Sequence, residues 1–298
     1  MPIEIRPFKR TDRDHVTALV NAHIGAVVPG LSVSVNAVMS QMERDPAEVV
    51  VDPWVVERRS LVAVEREAVV AAAHLLRYGA DERVGDSYRN AGEIKWLVAR
   101  PSCADAADLL LTHCLKLMDS WDVERQYADG ALPSPVTYGV CDAWSHIRSA
   151  YERAGFVDTR VVEILLVADA ADLPSRTEPP LDKMAVGRSL ADGGTRFSAI
   201  LDGETVATID VQTNMTRGGA RSHLEGWGEI GAIHTIDTFR RRGVGRWLVS
   251  IAADWLRLGR VERILAYAYP EPDDEALFLR AVGFKEVARM HRGWQRER

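Results

Sequence analysis

The stretch that decides the fold is Arg240-Arg241-Arg242-Gly243-Val244-Gly245-Arg246, which follows a predicted strand at 229–236. Glycines allow a tight turn whose backbone N–H groups point inward, and the start of a helix adds a partial positive charge. The surrounding arginines strengthen that positive field. The spacing Arg-x-x-Gly-x-Gly therefore predicts a cradle for a pyrophosphate, and a solvated arginine turn without a ligand is the alternative that the motif alone leaves open. The turn lacks the lysine and the hydroxyl of a Walker P-loop, which excludes that motif.

A helix is predicted directly after this turn, at 244–258. Val244, Leu248 and Ile251 recur at intervals of three or four residues, and Gly259 stands where the helix should end. The turn is therefore followed by a helix whose apolar face can pack on a sheet.

The chain repeats itself at an offset of 136 positions, as the pair Glu93 and Glu229 shows. Gly92-Glu93-Ile94 matches Gly228-Glu229-Ile230, and Val70-Ala71 matches Val206-Ala207 at the same offset. Each copy runs through a hairpin, a strand that opens at Gly-Glu-Ile, a helix, another strand and a closing helix before Gly-Phe. The fold class predicted is α/β, with two related units and mixed sheets.

The first copy alone is predicted to begin with a strand at 3–7 and two helices, the first opened by Thr11 and Asp12 as capping candidates. Its later elements are predicted as a helix at 106–121 and a strand at 136–140. In the second copy the corresponding strand is predicted at 263–267 and the closing helix at 275–283. Prolines and polar residues at 168–180 indicate a linker. The predicted domains are 1–170 and 181–298, joined by a linker at 171–180.

In this context the turn resembles the cofactor motif of the GNAT superfamily of N-acetyltransferases, [Q/R]-x-x-G-x-[G/A], at the start of a helix. The resemblance implies two tandem GNAT-like units, each a mixed, mostly antiparallel twisted sheet flanked by helices, in a layout similar to that of the mycothiol synthases. It implies acetyl-coenzyme A as co-substrate. The main-chain amides of Arg241 to Arg246 would hold the pyrophosphate, with Arg240 opening the motif, while Ile233, His234 and Thr235 would pair with the pantetheine arm.

The first copy departs from this motif. At the equivalent place it reads Ala104-Asp105-Ala106-Ala107-Asp108-Leu109, which has two acids and no arginine or glycine. Carboxylates repel a pyrophosphate. The sequence therefore predicts that only the second copy binds acetyl-coenzyme A, and that the first has a structural or acceptor-shaping role.

Glu229 is the candidate base for the acceptor amine, and the amide of Ile233 is the candidate donor to the thioester oxygen. Glu229 lies six residues before Thr235, the register of the glutamate base in some histone acetyltransferases of the family. Strand alternation is expected to place Glu229 on the face of Ile233 and to turn His234 to the opposite face, as a packed residue. A purely structural role for Glu229 stays open, because its repeat mate Glu93 lies in the copy without a phosphate turn.

The family's usual acid is a tyrosine four residues before the closing Gly-Phe, and the second copy has Leu279 there, whereas the first has Tyr151. Tyr267 and Tyr269, at the end of the preceding strand, are the candidate substitutes. Packing roles for both tyrosines, and protonation from solvent, stay open.

The acceptor site is expected to be open or covered by the first unit, because the second copy lacks the two N-terminal helices that normally wall the groove. His223, Glu225 and Trp227 are candidate lining residues, together with the stretch 214–217. Solvated loop positions are the alternative for each.

Composition limits the partners. The formal net charge of −6 and the pI near 5.8 disfavour nucleic acid and anionic lipid, so a small-molecule or peptide amine is expected, with the protein cytoplasmic and a monomer or homodimer. Three cysteines without a C-x-x-C pair argue against a disulfide framework and against zinc, and no metal is expected. The leading hypothesis is an acetyl-coenzyme A dependent N-acetyltransferase. The alternative is a non-catalytic acyl-coenzyme A binding or regulatory protein.

Overall fold

The computed structural model describes residues 2–43, 54–175, 178–191, 194–213, 215, 224–270 and 274–297. The chain forms two compact units. Unit 1 comprises Met1–Val162, Ala220–His223 and Arg289–Arg298, and unit 2 comprises Glu163–Gly219 and Leu224–Ala288. Neither unit is a single continuous segment of the chain.

Unit 1 begins with a strand and two helices and then follows the repeated order of elements. Its strands are β1 (Glu4–Pro7), β2 (Val55–Glu65), β3 (Ala68–Tyr78), β4 (Ala91–Ala99), β5 (Arg125–Ala128) and β6 (Val140–Cys141), and its helices are α1 (Arg13–Val27), α2 (Val35–Met42), α3 (Ala104–Ser120) and α4 (Ser145–Arg153). The sheet order is β1-β2-β3-β4-β5, in which only the β4–β5 pair is parallel. Leu75 and Ile94 of the sheet and Leu110 of α3 are fully buried in its core.

Unit 2 repeats this plan around the predicted phosphate turn. Its strands are β8 (Ala185–Leu190), β9 (Thr195–Leu201), β10 (Glu204–Gln212), β11 (Trp227–Thr235) and β12 (Arg263–Ala268), and its helices are α5 (Val244–Leu258) and α6 (Glu275–Ala281). The order is β12-β11-β10-β9-β8, again with one parallel pair, β11–β12. Leu248 and Ile251 of α5 pack with Ile209 and Ile230 of the sheet in one apolar core. Both sheets are mixed and mostly antiparallel, so the predicted fold class is confirmed.

Two further strands, which follow the Gly-Phe pairs, were not predicted. They are β7 (Val157–Asp169) and β13 (Lys285–Arg296). The later part of β7 pairs antiparallel with β12 in unit 2, and the later part of β13 pairs antiparallel with β5 in unit 1. Each strand thus begins in one unit and ends in the other. The structural division therefore differs from the predicted boundary, and residues 171–180 fall inside unit 2.

The predicted strand at 136–140 is wrong. Its place beside β4 is taken by β5, and of the predicted stretch only Val140 is in a strand, the two-residue β6. The sequence of β5 does not indicate a buried strand, because one of its two buried residues, Gln126, is polar. The Gln126 amide donates to Asp119 at 3.0 Å and accepts from Arg296 at 2.7 Å, which satisfies it inside the unit.

The internal repeat extends to the irregularities of the sheets. In β3 the pairs Ala63↔Ala71 and Val64↔Val69 leave Val70 as an extra residue, and in β10 the pairs Ala199↔Ala207 and Ile200↔Thr205 leave Val206. These β-bulges are 136 positions apart, since 206 − 70 = 136. A second bulge lies in the Gly-Glu-Ile strand of each copy, at Lys95 in β4 and after Ile230 in β11. Bulges are specific features of a fold, so they support an internal duplication.

Candidate functional site

A pocket of about 400 Å³ lies in unit 2 between the end of β11, the turn before α5, and α6. Ile233, His234 and Thr235 line it from the strand. The turn and the first residues of α5 line a second side, from Arg240 to Arg246 without Arg242. Helix α6 and the residue before it supply the third side, including Asp274 and Phe278. The structure thus brings nearly all of the predicted cofactor-binding residues to one cavity.

The turn requires its glycines. Gly243 is the N-terminal cap of α5 with φ +82°, a left-handed conformation that a side chain would strain. A Cβ on Gly245 would lie 3.3 Å from the Phe278 ring. No side chain caps the helix and its first turn contains no acidic residue. The backbone N–H groups of the first turn therefore remain suited to an anionic ligand.

Four arginines surround this helix start and remain exposed to solvent. Arg240 Nε lies 3.2 Å from the Thr235 carbonyl and 3.1 Å from Asp237, whereas Arg241 pairs with Asp274 at 3.0 Å. Arg242 lies over the Phe239 ring at 5.6 Å and is not one of the pocket-lining residues. Exposed ion pairs contribute little energy, so an arginine here can exchange a carboxylate for a phosphate at small cost.

The end of β11 has an open edge. β12 pairs with β11 only up to Ile230↔Ala266, while β10 continues to pair with the other edge as far as Thr235. Within the described residues, the edge at 231–235 therefore has no strand partner on the β12 side. An extended ligand can pair with such an edge as an added strand would. The open edge, the uncapped glycine turn and the arginines together fit a pantetheine arm that ends in a pyrophosphate.

Because of the bulge in β11, some of its residues lie on faces of the sheet other than those predicted. Ile230 opposes Val211 and Ile233 opposes Ile209, so three steps along β11 match two along β10. The extra residue reverses the alternation. Glu229, opposite Gln212, and His234, opposite Thr208, consequently lie on the same face, and Ile233 lies on the other. The prediction that Glu229 shares the face of Ile233 is wrong, as is the packed role of His234, which is exposed.

The other candidate catalytic residues have different settings. Tyr267 is half-buried on β12, two residues beyond Leu265, the residue that pairs with Glu229, and so lies on the Glu229 face. Tyr269 lies beyond the end of β12 and is 50% exposed. Leu279 is buried in the apolar core of unit 2. Neither Glu229 nor any of these three residues is among the residues that line the pocket.

In unit 1, side chains join the elements that correspond to the walls of the unit 2 pocket. His146, at the start of α4, places Nε2 3.0 Å from the carbonyl oxygen of Ala99, the repeat mate of Thr235. Arg153 of α4 pairs with Asp108 of α3 at 2.8 Å. Tyr151, the family's usual acid, is fully buried and donates its hydroxyl to the Asp129 carbonyl at 2.9 Å. The first two contacts thus link α4 to the end of β4 and to α3.

Several ionisable side chains of unit 1 are buried. His23 Nε2 lies 3.2 Å from His146 Nε2, and burial lowers the pKa of His23 to about 4. Burial also raises the pKa of Asp129 to about 6. Glu93, the mate of Glu229, accepts a hydrogen bond from Tyr78 and lies 3.5 Å from the Lys95 ammonium. Glu93 is thus a structural carboxylate in unit 1.

The candidate acceptor residues are only partly placed. His223 and, apart from the buried Met215, the stretch 214–217 lie outside the described residues. Glu225 is exposed, and Trp227 is buried beneath Arg263, whose guanidinium carbon lies 5.3 Å from the ring centre.

Sequence reasoning missed the α6 side of the pocket. Asp274, Leu277 and Phe278 line it, although the closing helix itself was predicted. Leu277 was the available signal for this side of the pocket, because it is apolar but does not share the spacing of the core residues Ala276 and Leu279. In the structure its side chain is 63% exposed.

A family model for the acetyltransferase (GNAT) family matches residues 162–284. Those residues, fewer than half of the chain, are similar to the GNAT family. They include the pocket, the open edge of β11 and the uncapped turn. The GNAT match therefore falls on the copy whose cofactor turn is intact.

Solved structures resemble the whole chain. A tandem GNAT protein from the clavulanic acid biosynthesis pathway is 13% identical with a TM-score of 0.65, and the match covers 99% of this chain and 98% of that one. A GCN5-related N-acetyltransferase from Sphaerobacter thermophilus is 13% identical with a TM-score of 0.61, covering 99% and 95%. A glucosamine N-acetyltransferase region of a fungal multi-domain β-N-acetylglucosaminidase is 17% identical with a TM-score of 0.64, covering 99% of this chain and 38% of that one. At such identities the likeness establishes the tandem GNAT fold. No curated protein sequence matches the chain.

The described residues provide neither a cluster of metal ligands nor a membrane-spanning helix. They contain no group of three or more histidine, cysteine, aspartate or glutamate side chains placed to hold a metal ion. No helix in those ranges is long and apolar enough to cross a membrane.

Proposed function

We propose that unit 2 is an N-acetyltransferase that transfers an acetyl group directly from acetyl-coenzyme A to a primary amine of a small molecule or peptide. The observation that carries the proposal is the uncapped start of α5 at Gly243, which opens into a pocket beside the unpaired edge of β11. The GNAT match at 162–284 supports the same function.

Residues of unit 2 can hold the pyrophosphate and the pantetheine arm of the cofactor. The amides from Gly243 to Arg246 suit the pyrophosphate, with Arg240 and Arg241 adding positive charge at the pocket. The open edge at Ile233–Thr235 suits the pantetheine amides. Once bound, acetyl-coenzyme A supplies an acetyl group activated as a thioester. The protein's part is to position that group and to manage protons.

Glu229 is our candidate for the proton acceptor. It is half-buried on the face of the sheet opposite the α5 core, next to Tyr267 on the neighbouring strand. In the overall reaction a bond forms between the amine nitrogen and the acetyl carbon, and the carbon–sulfur bond breaks. The amine also loses a proton, which a carboxylate on this face can accept. Tyr267, on the Glu229 face of the neighbouring strand, and Tyr269, beyond the end of β12, remain candidate acids, although neither lines the pocket.

Unit 1 has a structural role in this proposal. Its α4 is joined to the end of β4 by the His146 contact with Ala99 and to α3 by the Arg153–Asp108 pair. A carboxylate also stands in the first turn of α3, at Asp105. Both the shape and the charge of this region oppose a second cofactor site.

A non-catalytic acyl-coenzyme A binding protein is the second candidate, favoured by the buried Leu279 in the position of the usual acid. Release of free thiol from acetyl-coenzyme A, measured with glucosamine, spermidine, tyramine and a peptide with a free N-terminus, separates the two. Amine-dependent release supports the transferase. Binding of acetyl-coenzyme A without release from any amine would favour the binding protein.

A further inference from the structure

His234 is an exposed histidine in the wall of the unit 2 pocket. It lines the cavity between Ile233 and Thr235, and it is exposed to solvent. Its ring makes no hydrogen bond to any other residue that the structure describes. A histidine at a strand position that needs no packing partner is available to a ligand.

The β11 bulge decides which way His234 faces. Without the extra residue, the five positions from Glu229 would place His234 on the opposite side of the sheet. With it, both residues lie on the polar face that also carries Thr208 and Asp210. An acceptor that meets Glu229, which does not itself line the pocket, would therefore approach the same face of β11 as His234.

Among the described residues that line the pocket, His234 is the only histidine. The other ionisable side chains that line the pocket are arginines, which stay protonated, and carboxylates; they are Arg240, Arg241, Arg246, Asp274 and Glu275. Asp210, on the polar face, is held by Arg196 at 2.6 Å. Imidazole is the side chain that both gives and accepts protons near neutral pH.

We propose that His234 donates the proton that coenzyme A needs as it leaves, in place of the tyrosine whose position Leu279 fills. The inference rests on the proposed function. As the amine nitrogen binds the acetyl carbon, the carbon–sulfur bond breaks with its electron pair on sulfur, and that sulfur takes the His234 proton. The amine gives one proton to Glu229. Solvent then takes this proton and returns one to His234, so protons balance over a turnover.

The test compares H234A and H234Q with the wild-type chain, using acetyl-coenzyme A and the panel amine that it turns over fastest. Both variants should bind acetyl-coenzyme A as tightly as the wild type in calorimetry, because the side chain is exposed. Their kcat should fall by about 100-fold. Added imidazole should restore part of the kcat of H234A, since the space is open to solvent, and a merely structural role would show no such rescue. H15A is the matched control, because His15 is an exposed histidine of α1 outside the pocket.

A second readout does not depend on turnover. In the complex with free coenzyme A, an imidazolium beside the sulfur favours its thiolate. The pH at which bound coenzyme A ionises, followed by thiolate absorbance in the ultraviolet, should therefore be about one unit lower in the wild type than in H234A.

Two outcomes would overturn different claims. Unchanged kcat in H234A, or an unchanged thiol ionisation, would overturn the role of His234 while leaving the proposed function in place. Wild-type chain that releases no thiol with any amine of the panel would overturn the proposed function itself.

Discussion

At Gly243 the backbone is left-handed, and the amides that follow it line the pocket. We expect Gly243→Asp to abolish acetyl-coenzyme A binding in calorimetry, because it adds strain, bulk and a negative charge where a phosphate would lie. Gly203→Asp is the matched control. Gly203 has φ +86° in an open hairpin turn outside the pocket, so it carries the same strain and charge. Equal loss of binding in both variants would show that strain alone removes the affinity.

A substitution of Glu229 distinguishes a role as the catalytic base from a role as a structural carboxylate. Glu229→Gln should leave acetyl-coenzyme A affinity unchanged and lower kcat by about 100-fold, with the largest loss below the amine's own pKa, where a base is needed most. The measurement is thiol release across a pH series. Glu204→Gln, at an exposed position at the start of β10 and outside the pocket, serves as the control. Normal turnover of Glu229→Gln over that series would contradict its role as the base.

The element that completes the pocket is α6, whose preceding residue Asp274 holds Arg241. Because this carboxylate competes with a phosphate for the guanidinium, Asp274→Asn should tighten acetyl-coenzyme A binding by about two- to fivefold, and high salt should remove the gain. Asp254→Asn is the control, because Asp254 pairs with Arg257 at 2.8 Å outside the pocket. Weaker binding in Asp274→Asn would mean that the ion pair supports the pocket.

Elements with a strong local pattern could be predicted from the sequence. α5 occupies the predicted range 244–258, because its apolar spacing and its glycines are local signals. The bulge in β11 was not predictable, since it depends on the register with β10, and it decides the faces of Glu229 and His234. β5, with the buried Gln126, was missed because its polar groups find partners only in the folded unit.

Two buried histidines of unit 1, His23 and His74, should make the stability of the protein sensitive to acid. The pKa of His23 is about 4 in the folded chain, against about 6.5 for an unfolded imidazole. The unfolded state therefore binds the proton first, and His23 should lower the free energy of unfolding by about 3 kcal/mol as the pH falls from about 6.5 to 4. His74, buried with a pKa of about 3, adds a loss of the same sign.

Urea unfolding at pH 7 and pH 4.5 measures this loss. His23→Gln should reduce the difference between the two pH values, and His15→Gln, at an exposed position of α1, should leave it unchanged. An undiminished acid effect in His23→Gln would show that other groups cause it.

For the molecule as a whole, the strands that cross between units set where the chain can be cut. β7 contributes Ile164, Leu166 and Ala168 to the core of unit 2, so a fragment of residues 181–298 lacks part of that core. We expect it to be insoluble, whereas residues 163–288 should remain soluble and bind acetyl-coenzyme A. Circular dichroism and calorimetry on both fragments test this. A folded, binding 181–298 fragment would contradict the role of β7.

The central claim is that a duplicated chain keeps one cofactor site, in the copy with the glycine turn. Calorimetric titration of the full chain with acetyl-coenzyme A tests it most directly through the stoichiometry. The account predicts one site per chain, formed by unit 2 and lost in Gly243→Asp. Two sites per chain, or one site that survives Gly243→Asp, would contradict it.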